Sequence, residues 1–214
     1  MSRVLPILFN TEMVQAILYE RKTATRRCVK PKQIATLGCD ACPNNLPEEY
    51  INEKKFLFKP YCDMTDKELI KTLYKEPYEL GDILYVRETW QDDRIYTHDD
   101  TPGRYFYRAD DDADCHKWRP AIHMPKEAAR IWLKVTDVRV ERVQDIDDEG
   151  AKAEGANYGI GIAEKMRESA IDRFAKIWDS TIKKKELSLY GWYANPWVWV
   201  IKFERCEKPE EETY

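Results

Sequence analysis

Ile131-Trp132-Leu133-Lys134-Val135-Thr136-Asp137-Val138-Arg139-Val140-Glu141-Arg142-Val143 is the longest strand candidate in the chain. Its apolar residues alternate at 131, 133 and 135, then resume at 138 and 140. A period of two lays one face of a strand on a core. The change of phase near Asp137 predicts a bulge or bend, which suits a strand curling around a barrel.

Other strands surround it. Gly81-Asp82 opens a run from Ile83 to Trp90, with Ile83, Tyr85, Arg87 and Thr89 on one face and Leu84, Val86, Glu88 and Trp90 on the other. Asn195-Pro196 opens Trp197 to Phe203, which is apolar on both faces and so reads as central. Val4 to Phe9, Thr23 to Val29 and Arg104 to Arg108 complete about six strands. Helices fall between them. Asn10 or Thr11 caps one with Met13, Val14, Ile17 and Leu18 as its stripe. Thr65 to Glu68 is a capping box. Asp147 caps a short helix that Gly155 ends, and Met166, Ala170, Ile171, Phe174, Ile177 and Trp178 mark an amphipathic one. The expectation is an α+β fold: a small curved β-barrel of about six strands with flanking helices. Residues 1–206 read as one domain with an insertion at about 30–80, rich in proline and cysteine, and 207–214 as a polar tail.

With 43% apolar and 35% charged residues, the 214-residue chain can build a core. No run approaches the ~18 apolar residues of a membrane span, and Met1 to Phe9 is too short for a signal peptide. The expectation is a cytoplasmic protein whose six cysteines are thiols or metal ligands rather than disulfides. Net charge is −4, yet Arg3, Arg21, Lys22, Arg26, Arg27, Lys30 and Lys32 crowd the first 34 residues. A local basic site on an acidic protein fits a nucleoside or a short RNA and fits a long DNA duplex poorly.

Arg21-Lys22-Thr23-Ala24-Thr25-Arg26-Arg27 is the densest chemical signal. In an extended chain Thr23, Thr25 and Arg27 share a face, with Lys22 at the turn. A lysine shifted toward its neutral form can deprotonate a hydroxyl, and an arginine can hold an anionic or carbonyl oxygen. The plainer alternative is a solvated basic turn. Glu154 ends the short helix, where the negative end of the helix dipole favours a held proton and suits a general acid. An ordinary surface glutamate is the alternative. Trp90, Trp118 and Tyr107 can stack a base, although seven tryptophans also need a core. Arg87 and Glu88 either support the pocket or pair across strands. His123 either contacts a ligand or is satisfied by backbone. Cys39-Asp40-Ala41-Cys42, flanked by Cys28 and Cys62, supplies four thiolates for a structural zinc, but the flanking spacings are not those of a standard ribbon. The chemistry itself needs no cofactor.

The stretch Glu20 to Arg27 resembles the G-R-K-T-x-T-x-R signature of ASCH domains, a branch of the PUA-like superfamily, with Glu20 at the glycine position. Gly81-Asp82-Ile83-Leu84 resembles the family's G-D strand start, Asp147 to Gly155 its E-x-A-x-x-E helix, and Trp197 to Phe203 its last strand. The resemblance covers most of the chain outside 30–80 and 91–120, and within the family a phage and prophage group is most similar. It implies a PUA-like barrel whose cleft holds RNA or a nucleoside. One bacterial ASCH family is an amidohydrolase on N4-acetylcytidine. Its catalytic lysine, nucleophilic threonine and glutamate fall on Lys22, Thr25 and Glu154. Three expectations follow: an amidohydrolase on an N4-acylated cytidine, a non-catalytic module that binds RNA or a modified nucleotide, or a phage-encoded interaction protein with an inactive site.

Overall fold

The computed structural model describes residues 2–29, 65–92, 105–110, 117–156 and 168–210. The long strand identified above is β6, Trp132–Arg142. It is the middle of a five-stranded sheet with β1 (Val4–Leu8), β2 (Ala24–Cys28), β3 (Ile83–Arg87) and β7 (Trp197–Cys206), in the order β1-β3-β6-β7-β2. β1 and β3 run parallel and every other pair is antiparallel. The phase change in β6 is a bulge. Val135 pairs with Phe203 and Asp137 with Lys202, so Thr136 has no partner in the register. β4 (Trp90–Asp92) and β5 (Tyr105–Tyr107) form a separate two-stranded ladder.

Burial explains why β7 reads as apolar throughout. Trp199, Ile201 and Phe203 enter one core with Ile7, Phe9, Leu84, Val86, Leu133 and Val135. Val198 and Val200 enter another with Val143, Ile146, Ala151, Phe174 and Trp178. The first core is closed by α1 (Thr11–Leu18) through Val14 and Ile17, and by Ile70 of α2 (Asp66–Leu73). The second is closed by α3 (Asp148–Ala153) and α4 (Ala170–Thr181). A last short helix, α5, spans Leu187–Tyr190. The predicted caps hold: Asn10, Thr65 and Asp147 each accept a backbone N–H of the helix that follows. Among the described residues no helix is long and apolar enough to cross a membrane.

The α+β class stands, but the sheet is not closed into a barrel. β1 and β2 are both edges and share no ladder. In a flat sheet those edges would lie about 19 Å apart, four strand spacings of ~4.8 Å. Instead Arg27 on β2 donates through Nη2 to the Leu8 carbonyl on β1 at 2.7 Å. The sheet has rolled until its edges face each other, and a side chain, not a backbone ladder, spans the seam. Pro6 on β1 has no N–H to offer the seam, and the Tyr78 hydroxyl satisfies its carbonyl.

Two helix ends meet beside this seam. α1 closes with Arg21 N–H on the Ala16 carbonyl and Glu20 N–H on the Ile17 carbonyl. α3 closes in the same way, with Ala156 N–H on Ala151 and Gly155 N–H on Lys152. Both are Schellman closures, which require a left-handed residue. Gly155 supplies it at φ +90, and Glu20 at φ +58. A Cβ on Gly155 would sit 3.1 Å from the Ala16 Cβ, so α1 and α3 touch at this point. Glu20 is exposed and takes the left-handed conformation at a steric cost. Glu20→Gly is therefore expected to raise stability by about 0.5–1 kcal/mol. Gly155→Ala should lower it by at least about 1–2 kcal/mol. Urea denaturation of both variants, beside the parent, reads the two signs.

Candidate functional site

Lys22 leaves the end of α1 and pairs with Glu154, the C-cap of α3, as an isolated antiparallel bridge. The Thr23 N–H on the Ala153 carbonyl (2.8 Å) and the Phe203 N–H on the Thr23 carbonyl (2.9 Å) fix the start of β2 between α3 and β7. Lys22 is 2% exposed and Glu154 8%. The Lys22 ammonium donates to Glu154 Oε2 at 2.6 Å and to the Glu154 carbonyl at 3.0 Å. It thus caps a carbonyl at the negative end of α3 as well as pairing with the side chain. Burial pushes the Lys22 amine down from its ordinary value. Glu154 pulls it back up, and Arg27 and Arg26 add to the lowering. The net direction is down.

The other oxygen of Glu154 is held by Arg26, through Nη1 at 3.2 Å. Arg26 donates its Nη2 to Glu141 Oε1 at 2.6 Å, and Arg139 donates to Glu141 Oε2 at 3.1 Å and to Asp137 at 2.8 Å. The guanidinium of Arg26 lies 5.6 Å from the Phe174 ring centre. A Cβ on Gly150 would come within 3.2 Å of Arg26 Nη2, so that glycine makes room for it. Charges alternate from the buried Lys22 to the half-exposed Asp137.

The alternation of β2 separates the predicted residues. Lys22 and Arg26 have the same parity and both reach Glu154, whereas Thr25 and Arg27 have the other. Thr25 is buried and pairs in register with Ile201. Both hydrogen bonds of the Lys22 ammonium go to Glu154, and none joins it to Thr25. Thr23 is exposed. Arg27 was expected to hold a ligand oxygen; the oxygen it holds is the Leu8 carbonyl, because an edge strand leaves that acceptor without a ladder partner. Phe9 lies under both cations, with Lys22 Nζ 5.7 Å and the Arg27 guanidinium 5.5 Å from its ring centre.

Arg87 and Glu88 belong to a second polar cluster. Glu88 is 1% exposed and receives both Nε and Nη2 of Arg130, at 2.9 and 3.0 Å. Arg130 also pairs with Asp110 and stacks 4.0 Å over Tyr107, whose hydroxyl donates to the Ala128 carbonyl. Arg87 donates to the Met124 carbonyl at 2.7 Å. Glu88 thus pairs with Arg130, while Arg87 is engaged with the Met124 carbonyl. Burial pushes the Glu88 carboxyl up, and Arg130 offsets only part of that. Trp90 is 3% exposed in a core with Met124, Ala128 and Trp132, and Arg119 and Tyr105 lie against its ring. It is a core residue here and presents no open face. Trp118 is half-buried and His123 exposed. Cys28 is half-buried on β2, while Cys39, Cys42 and Cys62 lie outside the described residues. Among the described residues no group of three His, Cys, Asp or Glu side chains is placed to hold a metal ion.

Arg26, Glu141 and Arg139 were missed by the sequence reading. The signal for Arg26 was its even spacing from Lys22. Glu141 and Arg139 carried none, since alternating charge along a strand reads as a solvated face.

The second cluster yields a test. Arg130→Met strands the buried Glu88 carboxylate, which is expected to cost about 3–5 kcal/mol at pH 7. Without the guanidinium, burial drives the carboxyl further toward its protonated form. A carboxyl raised in the folded state contributes stability below its unfolded value and loses it as pH rises. The deficit of the variant should therefore shrink when denaturation is repeated near pH 5.

Neither a protein-family model nor a curated protein matches the chain. Among solved structures, the crystal structure of protein EF3133 from Enterococcus faecalis V583, described with the family model DUF984, aligns with 96% of this chain and 77% of its own. The identity is 11% and the TM-score 0.41, a likeness too slight to bear on fold or chemistry.

Proposed function

We propose that this chain is an ASCH-like protein with a PUA-like rolled sheet, and that its site removes the acyl group from an N4-acylated cytidine or a related modified nucleoside. The observation that carries the reading is the buried contact between Lys22 and Glu154 at 2.6 Å, at the head of the strand that bears Thr25. A base and an acid already in hydrogen-bond contact can pass a proton between them. The rolled sheet, the Gly81-Asp82 start of β3 and the docking of α3 on β2 all support the family reading.

In this mechanism Lys22, as the neutral amine, takes the proton from the Thr25 hydroxyl while Thr25 Oγ1 bonds to the acyl carbon. A backbone N–H steadies the oxyanion, because Arg27 Nη2 is committed to Leu8. The C–N4 bond breaks, and the proton reaches the departing amine through Glu154. Water then attacks the acyl-threonine and releases the carboxylic acid, restoring the hydroxyl. Substrate binding must bring Thr25 and Lys22 together, since both hydrogen bonds of the Lys22 ammonium go to Glu154.

That same separation favours a second reading, a module that binds RNA or a modified nucleotide without chemistry. Hydrolysis of N4-acetylcytidine distinguishes the two. Thr25→Ala and Lys22→Met should each cut turnover by about 10²–10⁴-fold with the fold intact. Turnover that survives Thr25→Ala rules out the acyl-threonine. Saturable nucleoside binding without hydrolysis, across several N4-acyl cytidines, selects the binding module.

A further inference from the structure

The triad around Glu154 contains one residue to which the mechanism above gives no role. Arg26 approaches Glu154 Oε1 while Lys22 holds Oε2, so the carboxylate is gripped from both oxygens. Arg26 is 6% exposed and is itself anchored, by Glu141 on β6, by the Phe174 ring on α4 and by the space left at Gly150 on α3. Glu141 is in turn held by Arg139. A structural ion pair between β2 and β6 would need only Arg26 and Glu141. The second arm of the guanidinium reaches the carboxylate that faces Lys22.

We propose that Arg26 is a positioning residue: its grip on Glu154 Oε1 keeps the carboxylate aimed at Lys22 Nζ and places a second positive charge beside the buried ammonium. This deepens the amidohydrolase reading and rests on it for its catalytic consequence, though not for its electrostatic one. The charged groups that face Lys22 are Glu154 from α3 and Arg26 and Arg27 from β2. Phe9 adds the face of its ring. α1 brings no charge against it; its contact is the Ala16 carbonyl, which receives the Lys22 backbone N–H. Removing one cation from this group makes a proton easier to hold on Lys22. The neutral amine that the reaction needs then becomes scarcer at a given pH. The guanidinium also has a geometric part. A carboxylate held at one oxygen can rotate, and on the order of 1 Å of misplacement costs about 10²-fold in rate.

The direct test is the titration of the Lys22 side chain, followed by NMR on protein carrying 13Cε-labelled lysine, with Lys22→Met to assign the signal. The full-length chain is compared with Arg26→Met, Arg26→Lys and the double variant Arg26→Met/Glu141→Met. The double variant removes the anchoring pair together, so that no lone carboxylate is left at Glu141 if the single variant fails to fold. The Lys22 midpoint is expected to move up in Arg26→Met and in the double variant. It should stay near the parent value in Arg26→Lys, which keeps the charge. With N4-acetylcytidine, Arg26→Lys should lower kcat more than it changes KM, and Arg26→Met should shift the alkaline-rising limb of kcat/KM to higher pH. A Lys22 midpoint that is unchanged in folded Arg26→Met or double variant overturns the proposal. The titration needs no activity, so a parent protein that fails to hydrolyse the substrate counts against the amidohydrolase and leaves the role of Arg26 to be judged by the titration.

Discussion

The structure depends on how a five-stranded sheet disposes of its two edges. β1 and β2 have no ladder between them, and an unpaired edge invites another strand. This sheet rolls instead, and Arg27 joins the edges through the Leu8 carbonyl. The bulge at Thr136 and the twist of successive strands supply the curvature. Rolling has a chemical result. It brings Phe9, just after β1, under Lys22, which precedes β2, and Arg27 near the end of β2. The candidate site is therefore a property of the seam. It forms where main-chain pairing stops and side chains must take over.

Burying cations at such a seam is expensive unless each is met by an anion. Lys22, Arg26 and Arg139 alternate with Glu154, Glu141 and Asp137, three positive charges against three negative. The chain of pairs is neutral as a whole, buried from Lys22 to Arg26 and most exposed at Arg139 and Asp137. Such an arrangement offsets the desolvation of the inner members without requiring a counter-ion. It also makes the inner members sensitive to one another. The Glu88–Arg130–Asp110 cluster solves the same problem separately at the end of β3. Between the two, Phe9 N–H meets the Arg87 carbonyl, and the Gln15 side-chain amide donates to the Ala109 carbonyl.

The Schellman closures of α1 and α3 set the distance between the partners. Each reverses the chain within one residue, so Lys22 and Glu154 emerge from helix ends that are already in contact. Glu20 is a local conflict in this arrangement, a side chain where the backbone favours glycine. The contact of Gly155 with Ala16 shows why a glycine is needed on the other side.

The sequence by itself determined what is local. The caps at Asn10, Thr65 and Asp147, the glycine end of α3, the bulge in β6 and the two-sided burial of β7 follow from spacing and residue type, because each is decided within about one turn or one strand. Lys22, Thr25 and Glu154 were legible as residues, through their types and the family resemblance, but not as a geometry. Only the tertiary structure decided that Glu154 is shared between Lys22 and Arg26, that Arg27 spans the seam, that Trp90 is core and that Glu88 belongs with Arg130. Parity along a strand tells which side chains share a face. It does not tell what meets that face from 128 residues away, as Glu154 meets Arg26, or from 115, as Glu141 does. Whether the sheet closes was equally beyond local reading. The approach of its edges is the accumulated twist and bending of five strands, and no single segment contains it.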